Sequence, residues 1–263
     1  MLCATSVVVI NLERKMKVSI ITVCFNSENT ILDTIISIES QSYGDIEYII
    51  VDGLSTDSTL ELIKKNCTKV STFIIEKDKG IYDALNKGIK AATGDVIGFL
   101  HSDDLFASKT AVADLVDKFE SSQSDAVYAD LEYVSKDDLS HVVRLWKSGE
   151  YNFSKLKKGW MPPHPTFYMK SELYEKFGGF DLDFKIAGDY DSLLRYLWVN
   201  NISMSYVPKV LLKMRVGGAS NRSLKNIIQK TQEDIAALKN NGVPPLKAIL
   251  WKNLSKIPQF VFK

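Results

Sequence analysis

The chain has 263 residues, of which 45% are apolar and 25% are charged, so it is long enough to fold around a large buried core. Its 33 basic residues nearly balance its 32 acidic residues, which argues against a nucleic-acid partner held by general positive charge. The three cysteines are widely spaced and form no CxxC pair, which argues against a disulfide framework or a zinc site and favours a reducing cytoplasm.

The first half of the chain alternates strand-like and helix-like segments. Residues 1–15 carry the short apolar run VVVI without the features of a signal peptide, and we interpret them as an N-terminal extension or an added strand. Four apolar runs then predict strands: VSIITV, IEYIIV, STFIIE and DVIGFL. Helices are predicted between them: one capped by Ser27 or Asn29, one from a Ser58-x-x-Glu61 capping box, and YDALNKGIKAA. This alternation predicts a Rossmann-like, mostly parallel sheet flanked by helices.

Polar side chains follow three of these predicted strands. Asn26, Asp52, and Asp103 with Asp104 all come just after an apolar run. Ligands of parallel sheets bind at the carboxyl ends of the strands, so we expect these residues to converge. Adjacent carboxylates repel one another unless a cation neutralises them, which favours a divalent ion that in turn holds a phosphate. The alternative for Asp103 is a helix cap or a solvated turn.

The rhythm changes after Asp104. We predict a helix in TAVADLVDKFESS, a strand DAVYAD, and an antiparallel pair LEYVS and HVVRLW. The long polar and aromatic stretch KSGEYNFSKLKKGWMPPHPTF follows, and its length favours a lid or a substrate wall. A strand TFYM, a helix SELYEKF and a helix in KIAGDYDSLLRYLWV complete this half, with Asp189 at the start of the last helix as a base or a simple N-cap.

Five segments in this order resemble glycosyltransferase family 2 of bacterial surface-polysaccharide synthesis. They are VSIITVCFN, IEYIIVDGLSTDST, EKDKGIYDALNKGIKAATGDVIGFLHSDD, HPTFYMKSELYEKFGGFD and IAGDYDSLLR. The resemblance implies a GT-A fold, a nucleotide-diphosphate sugar donor, Mn²⁺ or Mg²⁺ as cofactor, and inversion at the anomeric carbon. It assigns residues 16–222 to the catalytic domain, with a nucleotide-binding half at 16–105 and an acceptor half at 106–222.

The resemblance also implies roles for individual residues. It places a first group at the nucleotide or the donor: Thr22, Val23, Asn26, Asp52, Asp83, Ser102, Asp103, Asp104 and Arg195. Asp103 and Asp104 match the metal-binding acids, and Asp189 matches the general base. The family often has an acid or Asn where this chain has His101, so His101 departs from the pattern and is a doubtful ligand.

The same chemistry follows from elementary requirements. An acceptor hydroxyl must lose its proton as it attacks the sugar, and a carboxylate can accept it. A divalent cation stabilises the leaving diphosphate as a Lewis acid. Asp191 is the rival base in GDYD, but it lies about 200° around the helix from Asp189, which we therefore prefer.

Three further residues have competing interpretations. His164 either lies near the diphosphate or the acceptor or is a hydrogen-bonded loop histidine. Trp160 either stacks on an acceptor sugar or packs the loop, and Arg215 either binds a phosphate or forms a surface salt bridge. Arg215 begins the segment RVGGAS, which resembles the family's late R/H-x-G-G-x-S loop over the donor.

The C-terminal tail, residues 223–263, is predicted to be helical. Its basic amphipathic part, VPPLKAILWKNLSKIPQFVFK, fits a helix in the plane of an anionic membrane surface, and otherwise packs on the domain or on a second subunit of a homodimer. Membrane binding would suit a polyprenyl-diphosphate-linked saccharide acceptor at the inner face of the plasma membrane.

The leading hypothesis is a metal-dependent inverting hexosyltransferase that uses a UDP-sugar, with UDP-galactose or UDP-glucose favoured. One alternative is a sugar nucleotidyltransferase, which needs a Gly-rich, basic loop after the first strand, whereas CFNSENT has neither Gly nor Lys. The other alternative, prompted by His101, is a catalytically silent subunit that binds a nucleotide-sugar.

Overall fold

A mixed β-sheet runs through the computed structural model, which describes residues 15–217 and 224–254. Its strand order within these ranges is β3-β2-β1-β4-β8-β6-β9-β5, with β7 paired to β6 at one side. Most of the predicted N-terminal extension, residues 218–220 of the RVGGAS segment and residues 255–263 of the tail lie outside the described residues.

Residues 16–105 form the parallel part of the sheet, as predicted. Each of the first three strands is followed by a helix, and β1 pairs in parallel with both β2 and β4. The elements in chain order are β1 (Val18–Cys24), α1 (Ile31–Glu39), β2 (Ile46–Asp52), α2 (Thr59–Asn66), β3 (Val70–Ile75), α3 (Ile81–Ala91) and β4 (Val96–Phe99). The carboxyl ends of these four strands therefore share one edge.

The second half adds antiparallel and parallel neighbours to the same sheet. Its elements are β5 (Asp104–Phe106), α4 (Ala111–Ser122), β6 (Ala126–Val134), β7 (Val142–Trp146), α5 (Phe153–Leu156), a 3₁₀ turn (His164–Thr166), β8 (Tyr168–Lys170), α6 (Ser171–Phe177), α7 (Gly188–Leu194) with a π-helical end (Arg195–Val199), and β9 (Met204–Arg215). β8 is antiparallel to β4 and β6, whereas β9 is parallel to β6 and antiparallel to β5.

Four details differ from the sequence predictions. DAVYAD and LEYV form one strand, β6, because β9 pairs with it along its whole length, from Ala126 to Val134. The short β5 and the long β9 were not predicted; Pro208 and the polar residues of β9 hide its strand character. The Ser58 capping box does not form, and Asp57 instead accepts a hydrogen bond from the Thr59 N–H. Helix α1 begins after Thr30 rather than at Ser27 or Asn29.

Two apolar clusters cover the two faces of the sheet. One contains Ile20, Ile50 and the buried side of α1 and α4. The other contains Ile21, Val51 and the buried side chains of α3, α6 and α7. Alternate residues of β1 and β2 thus point to opposite clusters, which explains why these strands are apolar throughout.

The C-terminal helices α8 (Leu224–Asn240) and α9 (Pro245–Leu254) belong to the second cluster. Ala237, Leu238 and Ala248 are buried in it, and α8 packs on α7. The boundary predicted at residue 222 therefore does not separate two cores. Within the described residues, no helix combines the length and the apolar character needed to cross a bilayer.

Candidate functional site

A cavity of about 730 Å³ opens at the carboxyl ends of the parallel strands. Its walls come from the segments that follow β1, β3 and β4, from the end of β9 and from the β6–β7 turn. The lining residues are Val23, Cys24, Phe25, Asn26, Ser27, Asn29, Thr30, Asp78, Gly80, Ile81, Ala84, Ser102, Asp103, Lys136, Arg215, Val216 and Gly217. Of the four residues expected to converge at this edge, Asn26 and Asp103 line the cavity, whereas Asp52 and Asp104 do not. Val23, Ser102 and Arg215, which the family resemblance also singled out, line it as well.

Hydrogen bonds between neighbouring loops hold the wall near β1 in place. Asn26 has a left-handed backbone, with φ 50°, and its side-chain oxygen accepts a hydrogen bond from the Thr56 N–H at 2.9 Å. The Ser27 hydroxyl lies 3.0 Å from the Ser102 hydroxyl, which joins the loops that follow β1 and β4. The sequence therefore places small polar side chains where the loops must meet.

Three of the predicted nucleotide contacts brace these loops and do not line the cavity. Asp52 is fully buried and accepts hydrogen bonds from the N–H and the hydroxyl of Ser55, at 2.8 and 2.6 Å. Thr22 is also fully buried and donates to the Leu100 carbonyl at 2.6 Å. Asp83 accepts the Lys79 N–H at 2.9 Å, at the start of α3. Their carboxylates and hydroxyl are occupied by the protein's own turns.

Asp103 is the acid after β4 that reaches the cavity, whereas Asp104 points into the protein. Asp104 begins β5, is fully buried, and neither of its carboxyl oxygens has a hydrogen bond of good geometry. Burial, followed by the charge of Asp103, raises the pKa of Asp104 well above its usual value. The structure thus separates the two adjacent acids, because Asp103 lies in the turn after β4 whereas Asp104 is already part of β5. This corrects the expectation that both line the donor site.

The residues of the cavity wall fit a divalent ion that is bound mainly by the phosphates of its substrate and by few protein ligands. No group of three or more His, Cys, Asp or Glu residues within the described ranges is arranged to bind a metal by itself. Magnesium in nucleotide sites, however, is commonly held by one or two carboxylates together with substrate phosphates. Asp103 on the cavity wall supplies such a carboxylate, and the buried Nδ1 of the neighbouring His101 has no hydrogen-bond partner.

His101 connects the cavity acid with the predicted base. Burial lowers the pKa of the His101 imidazole, while the carboxylates of Asp103 and Asp189 both act on it in the opposite direction. The turn before Asp189 also contacts Tyr82 of α3, and the neighbouring residues Ile81 and Ala84 line the cavity.

The turn before Asp189 is shaped by close contact with Tyr82 of α3. The Tyr82 hydroxyl donates a hydrogen bond to the Ile186 carbonyl at 2.8 Å. A side chain at Gly188 would place its Cβ 2.8 Å from the Tyr82 ring, so glycine is required for this approach. One oxygen of the Asp189 carboxylate accepts the Tyr190 N–H at 2.8 Å, which restricts the side chain's rotation.

The rival acid Asp191 has a structural environment. It is buried, accepts a hydrogen bond from the Asn241 side chain at 2.8 Å, and lies 3.4 Å from the Arg195 guanidinium. Arg195 also donates to the carbonyls of Phe177 and Gly179, at 2.6 and 2.7 Å. The predicted donor contact Arg195 thus holds the turn after α6 and does not line the cavity.

His164 and Trp160 are packed among aromatic rings. His164 stacks on Phe99 with ring centres 5.3 Å apart, and burial followed by the charge of His101 lowers its pKa to about 3. It is therefore neutral near pH 7. Trp160 is half-buried and contacts the rings of Tyr128 and Tyr151.

Arg215 and Lys136 are the cations of the cavity wall. Arg215 is buried, donates to the Asp103 carbonyl at 2.8 Å and pairs with Asp33, and its Nε has no hydrogen-bond partner. Lys136 lies in the β6–β7 turn and is exposed to solvent. Sequence reasoning missed Lys136 because it sits in a polar turn of the other half of the chain. The hairpin signal alone could have drawn attention to it.

Comparison with known proteins places this geometry among sugar-transferring enzymes. The model of the family described as Glycosyl transferase family 2 matches residues 19–180. An uncharacterized glycosyltransferase of Mycobacterium tuberculosis strain CDC 1551 / Oshkosh is 34% identical over 180 residues, which is 68% of each chain. A PGL/p-HBAD biosynthesis glycosyltransferase of Mycobacterium bovis BCG is 27% identical over 190 residues, covering 70% of this chain and 72% of that one.

Solved structures show the same fold. Residues 1–349 of Staphylococcus aureus TarS in complex with UDP-GlcNAc superpose with a TM-score of 0.70 at 18% identity, covering 94% of this chain and 79% of that chain. The mannosyltransferase PcManGT from Pyrobaculum calidifontis, in complex with GDP-Man and Mn²⁺, gives a TM-score of 0.66 at 18% identity, with 93% and 70% covered. The predicted GT-A fold is confirmed by these likenesses.

Proposed function

The chain belongs to glycosyl transferase family 2, and on this premise we propose that it transfers a hexose from a UDP-sugar to a saccharide acceptor with inversion of the anomeric carbon. The observation that carries the proposal is the cavity at the carboxyl ends of the parallel strands, which Asp103 lines together with Ile81 and Ala84 of α3. Tyr82 of the same helix holds the turn that leads into Asp189, which brings a second acid toward the cavity.

The cavity supports the donor assignment. Its volume of about 730 Å³ falls in the range of small-molecule and cofactor sites. The wall offers side-chain amides and hydroxyls from Asn26, Ser27 and Ser102, and cations from Arg215 and Lys136. This combination suits a ligand with a polar base and sugar and a charged diphosphate. The bound UDP-GlcNAc of the S. aureus TarS structure is consistent with a uridine donor.

The reaction needs one group that acts on the acceptor hydroxyl and another that acts on the leaving diphosphate. Asp189 accepts the proton of the acceptor hydroxyl as its oxygen attacks the anomeric carbon, and the bond to the diphosphate breaks on the other face. A single displacement of this kind inverts the configuration. Arg215, aligned by Asp33 and the Asp103 carbonyl, stabilises the negative charge that develops on the leaving diphosphate.

Asp103 would hold Mn²⁺ or Mg²⁺ together with oxygens of the donor diphosphate. The ion would supply Lewis-acid stabilisation of the leaving group. The Mn²⁺ in the Pyrobaculum mannosyltransferase structure supports this assignment by analogy.

The C-terminal helix α9 supports an acceptor at a membrane surface. Leu246, Leu250 and Trp251 are exposed on it, and the Lys158 ammonium lies 5.4 Å from the Trp251 ring centre. Apolar and aromatic side chains beside lysines suit the interface of an anionic bilayer. We place the enzyme peripherally on the inner face of the plasma membrane, with a polyprenyl-diphosphate-linked saccharide as acceptor in surface-polysaccharide assembly.

A donor screen tests this function. The purified full chain is incubated with UDP-galactose, UDP-glucose and their N-acetyl derivatives, with and without Mn²⁺, and release of UDP is measured. We expect metal-dependent release from UDP-galactose or UDP-glucose, increased by a lipid-linked saccharide in anionic vesicles. UDP binding without turnover of any of these donors would contradict the proposal, and release of pyrophosphate from UTP and a sugar phosphate would replace it with nucleotidyl transfer.

A further inference from the structure

The segment that leads into Asp189 is held by a carboxylate from the C-terminal helix α8. One oxygen of Glu233 accepts hydrogen bonds from three successive backbone N–H groups, those of Lys185, Ile186 and Ala187, at 3.0, 2.7 and 2.9 Å. Asp189 follows two residues later. A carboxylate that takes three backbone donors imposes one conformation on the segment that supplies them.

Glu233 is itself held in an ionised state and in one orientation. Burial by itself would raise the pKa of Glu233, but the hydrogen bonds from Ala187, Ile186, Gln229 and Lys185 together lower it. Its other oxygen accepts the Gln229 amide at 2.9 Å, one turn earlier on α8. Both oxygens are therefore used as acceptors, and an amide in their place offers just one.

Two further contacts complete the support of the α7 start. Asn241, just beyond the end of α8, donates to the Asp191 carboxylate at 2.8 Å. From the other side, the Tyr82 hydroxyl of α3 binds the Ile186 carbonyl. The turn at 185–189 is thus clamped between the nucleotide-binding half of the chain and a helix that the sequence predicts to be a tail.

We propose that Glu233 is a positioning residue that sets the orientation of Asp189 toward the acceptor hydroxyl through residues 185–187. This inference rests on the proposed role of Asp189 as the base. It makes the C-terminal helix a part of the reacting centre, although none of its side chains lines the donor cavity in the described residues. A base displaced by about 1 Å can lose about a hundredfold in rate, so a distant carboxylate can control turnover.

Glu233→Gln tests the proposal. The amide keeps the size of the side chain but cannot accept from both the segment and Gln229. We expect kcat to fall about 10- to 100-fold, with the KM for the UDP-sugar and the affinity for UDP unchanged because the cavity wall is untouched. Glu175→Gln makes the same chemical change on the exposed surface of α6 and should leave kcat at the wild-type value.

A double-mutant cycle with Asp189→Asn separates this inference from the proposed function. If Glu233 acts through Asp189, then adding Glu233→Gln to the Asp189→Asn variant causes no further loss. The positioning role would be overturned if the double variant lost activity by the product of the two single losses. It would also be overturned by a kcat for Glu233→Gln within about twofold of wild type. Wild-type activity of Asp189→Asn would instead overturn the base assignment itself.

Tyr82→Phe keeps the test independent of any folding defect in Glu233→Gln. It removes the opposite contact to the same segment while preserving the ring that packs on Gly188. We expect a fall in kcat with unchanged UDP affinity, again absent in the Asp189→Asn background. A loss of UDP affinity equal to the loss of kcat would show that the segment supports the fold rather than the base, and would contradict the inference.

Discussion

Buried polar groups at the two ends of the parallel strands differ in whether the protein supplies their hydrogen-bond partners. At the amino end, Glu47 is almost fully buried, and its carboxylate accepts hydrogen bonds from Lys17, Ser19 and the N–H and hydroxyl of Thr93. At the carboxyl end, two buried polar atoms lack a hydrogen-bond partner within the described residues: His101 Nδ1 and Arg215 Nε.

This difference separates structural polar groups from functional ones. An unpaired buried polar atom destabilises a fold by about 1–3 kcal/mol, so such atoms are rare unless a ligand completes them. At the amino end the protein supplies every partner, which stabilises the junction of β1, β2 and the β4 loop. At the carboxyl end, Arg215 lines the cavity that we assign to the donor, and His101 lies two residues before the lining residue Asp103. Variants at the two ends should therefore affect different measurements.

The largest expected effect comes from Asp189. Asp189→Asn should lower kcat about 10³-fold, since a positioned general base contributes about 10²- to 10⁴-fold. The thermal midpoint and UDP affinity should stay near those of the wild type, which calorimetry can check. The rival Asp191→Asn should lower the thermal midpoint more than kcat, because Asp191 is tied to Asn241 and Arg195. The reverse pattern would transfer the base role to Asp191.

Asp103→Asn should give the next largest effect, a fall in kcat of about 10²-fold. The variant should also need a higher Mn²⁺ concentration to reach half of its maximal rate. The neutral amide is a weaker ligand for a divalent ion than the carboxylate. Turnover measured against Mn²⁺ concentration, before and after chelation, tests this. The exposed Asp137→Asn outside the cavity lining is the matched control. If both variants reached half-maximal turnover at the same Mn²⁺ concentration, that result would argue against Asp103 as the metal ligand.

Lys136→Gln should have a smaller effect and act mainly on donor binding. Loss of one charge-assisted hydrogen bond to the diphosphate should raise the donor KM about tenfold, with kcat little changed. Lys109→Gln removes the same charge from an exposed residue that does not line the cavity. A KM equal to the wild-type value would show that the β6–β7 turn is not part of the donor site.

Glu47→Gln should leave kcat unchanged and should lower the free energy of unfolding by about 2 kcal/mol. Burial would raise the pKa of Glu47, but hydrogen bonds from Lys17, Ser19 and Thr93 lower it from 4.5 to about 2. The wild-type network therefore contributes fully above about pH 4.5, and its contribution is lost as the pH falls toward 2. Urea unfolding at pH 7 and pH 4 should show the difference between variant and wild type shrinking with acid. A difference that does not depend on pH would contradict the ionised network.

Much of the fold of residues 16–105 was predictable from local patterns. The strands VSIITV and IEYIIV and the helix YDALNKGIKAA match β1, β2 and α3 closely, since strong apolar periodicity governs their burial. The later half was harder, because β9 carries Pro208 and Lys209 and is defined by its pairing with β6 and β5. Pairing between distant segments leaves little trace in a local pattern.

The candidate site shows the same division. Asp103 and Arg215 were identified from motifs and do line the cavity, whereas Asp52 and Thr22 come from equally specific motifs and are consumed by internal hydrogen bonds. A motif places a residue at a strand end, but the direction of its side chain depends on the neighbouring loop. Lys136 is the converse case, a residue that lines the cavity although no motif points to it. The pairing of strands far apart in the chain brings its turn, between β6 and β7, to the cavity.

The sequence by itself determined the family, the order of the strands and helices in the first half, and the edge of the sheet where polar residues gather. These features depend on side-chain periodicity and on residues near one another in the chain. Tertiary structure alone decided that Asp103 and Asp104 separate, that Glu233 reaches the turn before Asp189, and that α8 belongs to the core. Each of these depends on contacts between residues far apart in the chain, whose free energy is set by packing rather than by local preference.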